Sequence, residues 1–248
     1  MFRAIEVELH KLRHSPIPLW TLAVVAVSPM MTGTMGSANR AWFDSLTWLQ
    51  YVRLGPLNLS TWYGVLLLGL MTAFTFGREY TEGVVANVLT TPARREYWVL
   101  AKVLIVSAWY LALAGLSVVI QGAWALALGK HGFDAAGTWT VLSDTLRVGL
   151  LLLCTMPVVA LTAVITRGVL APMILSALGF SAAMIGGIAG WGDWLVWAMP
   201  TTITGSFMQL EGASATDLST GSWVIAIGTF VVGLVGLIWY VDRADVAS

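Results

Sequence analysis

The chain has 248 residues, 58% hydrophobic and only 10% charged, with a formal net charge of +0 and a mean hydropathy of +0.80. Soluble domains carry about a quarter charged residues, so a water-soluble globule is excluded, and a neutral chain has no electrostatic footing on nucleic acid. The single cysteine, Cys154, lies in an apolar run, which leaves no disulfide and no thiolate metal site to consider.

Residues 2–14 read as an amphipathic helix, with Phe2, Ile5, Leu9 and Leu12 on one face and Arg3, Glu6, His10 and Arg13 on the other. Glu6 and His10 stand one turn apart, as do Glu8 and Lys11. Residues 1–16 are therefore expected to lie along the membrane surface, with Glu6, Glu8 and Lys11 as their polar contacts and Pro16 and Pro18 ending the helix. Residues 17–241 then form one all-α membrane domain. Six runs are long enough to cross a hydrocarbon core of about 30 Å as helices: 17–36, 59–77, 97–128, 147–166, 169–190 and 221–240. They are continuous rather than alternating, which favours helices over a barrel.

Between the first two runs, Trp42, Leu46 and Leu49 suggest a short helix on the outer leaflet, and Gly55-Pro56 a turn before the second span. The polar segment after that span holds Arg78, Glu79, Glu82, Arg94, Arg95, Glu96 and Lys102 between two apolar runs. Val84, Val85, Val88 and Leu89 recur at helical spacing. Thr91 then caps, and Pro92 opens, a second helix. A helix, a sharp turn and another helix exceed what a bare connection of two to six residues needs, so loop 78–96 reads as a docking surface. Lys102 is expected to snorkel to the inner interface.

In the later spans, Trp109, Tyr110 and Gln121 are candidates for contact with a substrate, although core or lipid packing is the commoner fate of such residues. Cys154-Thr155-Met156-Pro157 marks a kink in the fourth span, with Met156 a further candidate for the substrate path. Gly179, Ala183 and Gly187 line one stripe of the fifth span as a packing face, within the chain or between two copies. Residues 191–220 lack Lys and Arg and carry Trp191, Trp194 and Trp197, as expected of short helices dipping into the outer face. Nine Lys and Arg residues fall on the side of the N-terminus and four, Arg40, Arg53, Lys130 and Arg147, on the other, which predicts both termini in the cytoplasm.

The absences restrict the chemistry. No ionisable residue lies deep in a span, as an ion-coupled carrier needs. The only histidines, His10, His14 and His131, lie outside the spans, leaving an intramembrane hydrolase without its base. No phosphate-binding G-x-x-x-x-G-K-[ST] loop is present. Energy for any work would thus come from a cytoplasmic partner. A scaffold that recruits a partner through the same loop, without transport, is the alternative.

The run Arg78-Glu79-Tyr80-Thr81-Glu82-Gly83, with Leu89-Thr90-Thr91-Pro92, Arg94-Arg95 and Ala101-Lys102, resembles the cytoplasmic loop of ABC-2 type permeases. With its length, six spans and leading amphipathic helix, the chain is most similar to the bacitracin and lantibiotic-immunity permeases. That resemblance implies a bacterial cell-membrane exporter subunit for an amphiphilic peptide antibiotic or hydrophobic drug. It implies no catalytic site and no bound cofactor of its own, ATP and Mg being held by two copies of a separate ATPase, and a second permease, identical or paralogous, in the bilayer. Arg78, Glu79, Tyr80, Glu82, Gly83, Val84, Asn87, Val88, Thr91, Pro92, Arg94 and Arg95 would meet the ATPase as a coupling helix and its flank, and residues 191–220 would cap the exit.

Overall fold

The computed structural model describes residues 2–38, 40–81, 83, 95–204 and 218–243, and among these every regular element is helical. Helix α1 (Phe2–Arg13) is followed by α2 (Ile17–Ala38) and the short α3 (Arg40–Ser45). Helix α4 (Trp48–Asn58) runs through a π-helical turn (Leu59–Tyr63) straight into α5 (Gly64–Thr81). Then come α6 (Arg95–Ala127), α7 (Ala135–Leu153), α8 (Met156–Ile165), α9 (Leu170–Ala189), α10 (Met199–Thr204) and α11 (Thr220–Arg243).

Among the described residues, five stretches are long and apolar enough to cross a membrane: Trp48–Thr81, Arg95–Ala127, Ala135–Ile165, Leu170–Ala189 and Thr220–Arg243. The remaining expected span, 17–36, coincides with α2, whose described apolar stretch, Ile17–Met30, is shorter. The rod Trp48–Thr81 is the centre of the molecule. Its apolar window is 72% buried, against 22% for that of Thr220–Arg243. α5 packs against α6, α8 and α9, while α11 lies along α8 and α6. The main core joins Leu68, Phe76, Tyr110, Leu152, Met156 and Leu237, and a second core joins Trp48, Tyr51, Leu57 and Val141.

Two expectations about helix boundaries are corrected. Gly55-Pro56 does not form a turn. The helix starts at Trp48, where Thr47 and Gln50 bond each other's backbone in a capping box, and passes through Pro56. Proline denies its helix one N–H, and the widened π turn follows directly, with the Leu59 N–H reaching the carbonyls of Gly55 and Pro56. The fourth span begins well before residue 147, because Asp134 caps α7 at Ala135. It breaks at Cys154-Thr155, as expected, and Pro157 sits in the first turn of α8, where a missing N–H costs nothing.

Candidate functional site

Four charged side chains meet where α1 crosses the ends of α5 and α6. Glu79 lies on the last turns of α5, one turn beyond Thr75, so its carboxylate and the Thr75 carbonyl share a face. Lys102 reaches them from the second turn of α6. Its ammonium donates to Glu79 Oε1 at 3.0 Å, Glu8 Oε2 at 3.1 Å and the Thr75 carbonyl at 2.6 Å, which engages all three of its protons. Lys11 closes the figure, donating to Glu8 Oε1 at 2.9 Å and Glu79 Oε1 at 2.7 Å.

Burial makes this arrangement consequential. Lys102 is 1% exposed, and Glu8 and Glu79 are each 7% exposed. An unpaired ion at such a depth costs several kcal/mol, so each charge is tolerable only with its partners in place. The Trp98 and Phe76 rings add cation–π contact, their centroids 4.9 and 5.7 Å from the Lys102 ammonium. On α1, burial opposes the Lys11 charge, but the hydrogen bonds and charges of Glu79 and Glu8 outweigh it and raise its pKa above the ordinary 10.5. Lys102 therefore does not snorkel. It is the centre of a clamp that holds α1 against two spans.

The clamp also reorders the faces of α1. Glu8 turns inward beside Ile5 and Leu12, which are half-buried, while Leu9 is 50% exposed. Glu6 stays exposed, and His10 and His14 stack on each other at the surface, 4.3 Å between centroids. A cavity of about 450 Å³ opens beside the clamp, with Glu79, Lys11 and Arg78 at one end and Phe74, Ile105 and Trp109 along its wall.

A family model described as "ABC-2 family transporter protein" matches residues 4–183. The chain belongs to the ABC-2 transporter family. No curated protein and no solved structure matches the sequence. As an ABC-2 protein it is a membrane permease subunit of an ABC exporter, a kind of chain that works with an ABC ATPase and generally has no ATPase site itself.

Of the permease residues expected to meet the ATPase, Glu82, Val84, Asn87, Val88, Thr91, Pro92 and Arg94 lie outside the described residues. Glu79, expected to meet the ATPase, pairs within the chain with Lys11 and Lys102. Tyr80 is half-buried against the main core, and Arg78 lies 5.3 Å from the Phe74 ring. Gly83 ends α5 with φ 69°, a left-handed backbone that side chains resist, and its N–H reaches the Tyr80 carbonyl. Arg95 donates to the carbonyls of Val241 and Asp242 at 3.1 and 3.2 Å, placing a cation at the C-terminal end of α11. One root of the loop is thus tied to α1 and the other to α11.

The remaining candidates separate by depth. Trp109 alone among the substrate-path residues lines the cavity, its indole donating to Thr21 at 3.2 Å. Tyr110 is wholly buried and donates to the Gly64 carbonyl at 3.1 Å, and Met156 is wholly buried in the main core. Gln121 is buried against α4, its amide donating to the Tyr51 carbonyl and to Thr32 at 3.3 and 3.4 Å. Thr32 also accepts from Asn58 at 2.8 Å, and Ser60 bonds Thr204 of α10 at 2.7 Å. These neutral contacts were not anticipated, although Asn58 and Gln121 are conspicuous polar residues in apolar runs. On α9, the small-residue stripe faces the chain's own next segment. A methyl on Gly179 would meet the Trp197 ring at 2.7 Å and one on Gly187 would meet Thr201 at 3.0 Å, with Ala183 buried between them.

Proposed function

We propose that this permease exports an amphiphilic peptide antibiotic or hydrophobic drug from a bacterial cell membrane, as a member of the bacitracin and lantibiotic-immunity branch. In this reading six helices span the bilayer, α2 among them, with both termini in the cytoplasm. Residues 78–96 form the coupling element, two ATPase subunits hold the ATP and Mg, and a second permease, identical or paralogous, completes the pathway. Arg78, Arg94 and Arg95 flank the docking helix, whose own contacts come from Glu82, Gly83, Val84, Asn87, Val88, Thr91 and Pro92. Residues 191–220 close the outer end.

What supports the reading is the four-charge clamp at the root of that loop. A push on a loop does work only if its roots move as a body, and Glu79 and Lys102 lock the ends of α5 and α6 to each other and to α1. The force of nucleotide-driven closure would reach three helices together and switch the bundle between two arrangements.

Co-purification tests it. Full-length permease should bring down an ATPase whose basal hydrolysis changes with the permease present. Replacing Glu82 and Gly83 together by arginine should leave membrane insertion intact and uncouple hydrolysis from transport. A scaffold would bring down no nucleotide-hydrolysing partner, and unchanged transport by the double variant would remove the coupling role.

A further inference from the structure

We propose that His10 and His14 together bind a divalent transition-metal ion that favours right-angled nitrogen geometry, as copper(II) and nickel(II) do. The site is independent of what the exporter carries and of how it is driven. Spacing is the first argument. Residues four apart stand one above the other on a helix, and two histidines at that spacing are a donor pair that helical metal sites use. The helical turn is intact here, because the His14 N–H reaches the His10 carbonyl at 3.3 Å. Both side chains are exposed, so an ion can approach from water.

The second argument is geometric. The two rings lie 4.3 Å apart, centroid to centroid, with their planes tilted by 43°. Two imidazoles that share one ion through nitrogens at about 2.0 Å set their centroids about 4.5 Å apart when the bonds meet at a right angle. At the tetrahedral angle the separation grows to about 5.2 Å. The observed spacing is close to the right-angled case, so binding asks for little rearrangement of either ring.

The third argument is the proton on His14. Its Nδ1 lies 2.9 Å from the His10 carbonyl oxygen, which can only accept, so Nδ1 is the donor. The neutral ring then carries its lone pair on Nε2. A carbonyl that steers one ring nitrogen in this way is the usual support of a metal-bound histidine.

The surrounding charges permit a cation. Lys11 already pairs with Glu8 and Glu79, and Glu6 stands exposed one turn before His10. Arg13 opposes the ion, but it is exposed and screened by water and salt. Among the described residues no group of three or more His, Cys, Asp or Glu side chains is placed to hold a metal, so water takes the remaining positions. A bound ion would fix the last turn of α1, the turn that carries Lys11 into the clamp.

The test titrates full-length permease, purified in detergent without a polyhistidine tag, with nickel chloride by isothermal calorimetry. Saturable binding of one ion per chain is expected. His10→Asn and His14→Asn should each weaken it about a hundredfold, because losing either ligand loses the chelate. His131→Asn, at the only other histidine, and Cys154→Ser should leave it unchanged. Electron paramagnetic resonance with one equivalent of copper(II) gives a second reading. The wild type should show two equatorial nitrogens from imidazole, and each single variant one. Absence of saturable nickel binding overturns the proposal, as does a site that survives either substitution or is removed by His131→Asn or Cys154→Ser. A copper spectrum with a single imidazole nitrogen in the wild type overturns it as well.

Discussion

The two ends of this permease bury polar groups in opposite styles. At one end Glu8, Lys11, Glu79 and Lys102 meet as full charges. Toward the other, Thr32, Asn58, Ser60, Gln121 and Thr204 meet as neutral hydroxyls and amides. Charge attraction falls off slowly with distance, whereas a hydrogen bond between neutral groups weakens steeply once its angle is lost. Hydroxyls, however, both donate and accept, so they can change partners cheaply. If the loop is pushed as proposed, the charged end would stay joined, and the neutral end could re-pair should the helices turn.

The largest expected effect breaks the charged end. Lys102→Met leaves two carboxylates buried without their main partner and should cost about 3–5 kcal/mol, read as lowered resistance to unfolding in detergent. Double-mutant cycles should come next. The pair Glu8→Gln with Lys102→Met should show a coupling well above that of Asn58→Ala with Thr32→Ala, where membrane hydrogen bonds average about 0.6 kcal/mol. Equal couplings would remove the contrast. Smaller still, Gln121→Leu should shift stability by about 1 kcal/mol or less, since it removes weak contacts and adds apolar surface.

The subtlest effect is with pH. The folded-state pKa of Lys11 is raised above 10.5, so its contribution is fully present below that pH and is lost as pH rises through the raised value. Wild type and Lys11→Met should therefore differ by a constant margin in unfolding midpoint through neutral and mildly alkaline pH. They should converge only above pH 10.5. Convergence at neutral pH would show that Lys11 is solvated and idle.

Hydropathy made the all-helical membrane architecture legible, and Pro157 marked the break in the fourth span because a proline has one comfortable place in a helix. The start of that span was hidden by Thr138, Thr140 and Ser143, which look like loop residues. In the structure each bonds a backbone carbonyl one turn back, and the helix carries them without loss. Gly55-Pro56 misled for the converse reason, since a π turn absorbs the proline that ordinarily ends a helix. Lys102 could not be read at all from its neighbours. Its partner Glu8 stands 94 residues away, and a lysine at the edge of an apolar run gives no sign of whether it reaches for water or for a carboxylate. The stripe Gly179, Ala183, Gly187 announced close approach but not the approaching group, which proves to be the chain's own Trp197 and Thr201.

The π turn at Leu59–Tyr63 sits between α4, capped at Thr47, and α5, which carries Glu79 near its end. Such a turn stores one surplus residue relative to regular α geometry. Were it to relax, everything below would swivel by about 100°, the angle one residue subtends in an α-helix. Such a relaxation would make the turn a swivel joint, through which rotation at the charged end need not drag α4 along.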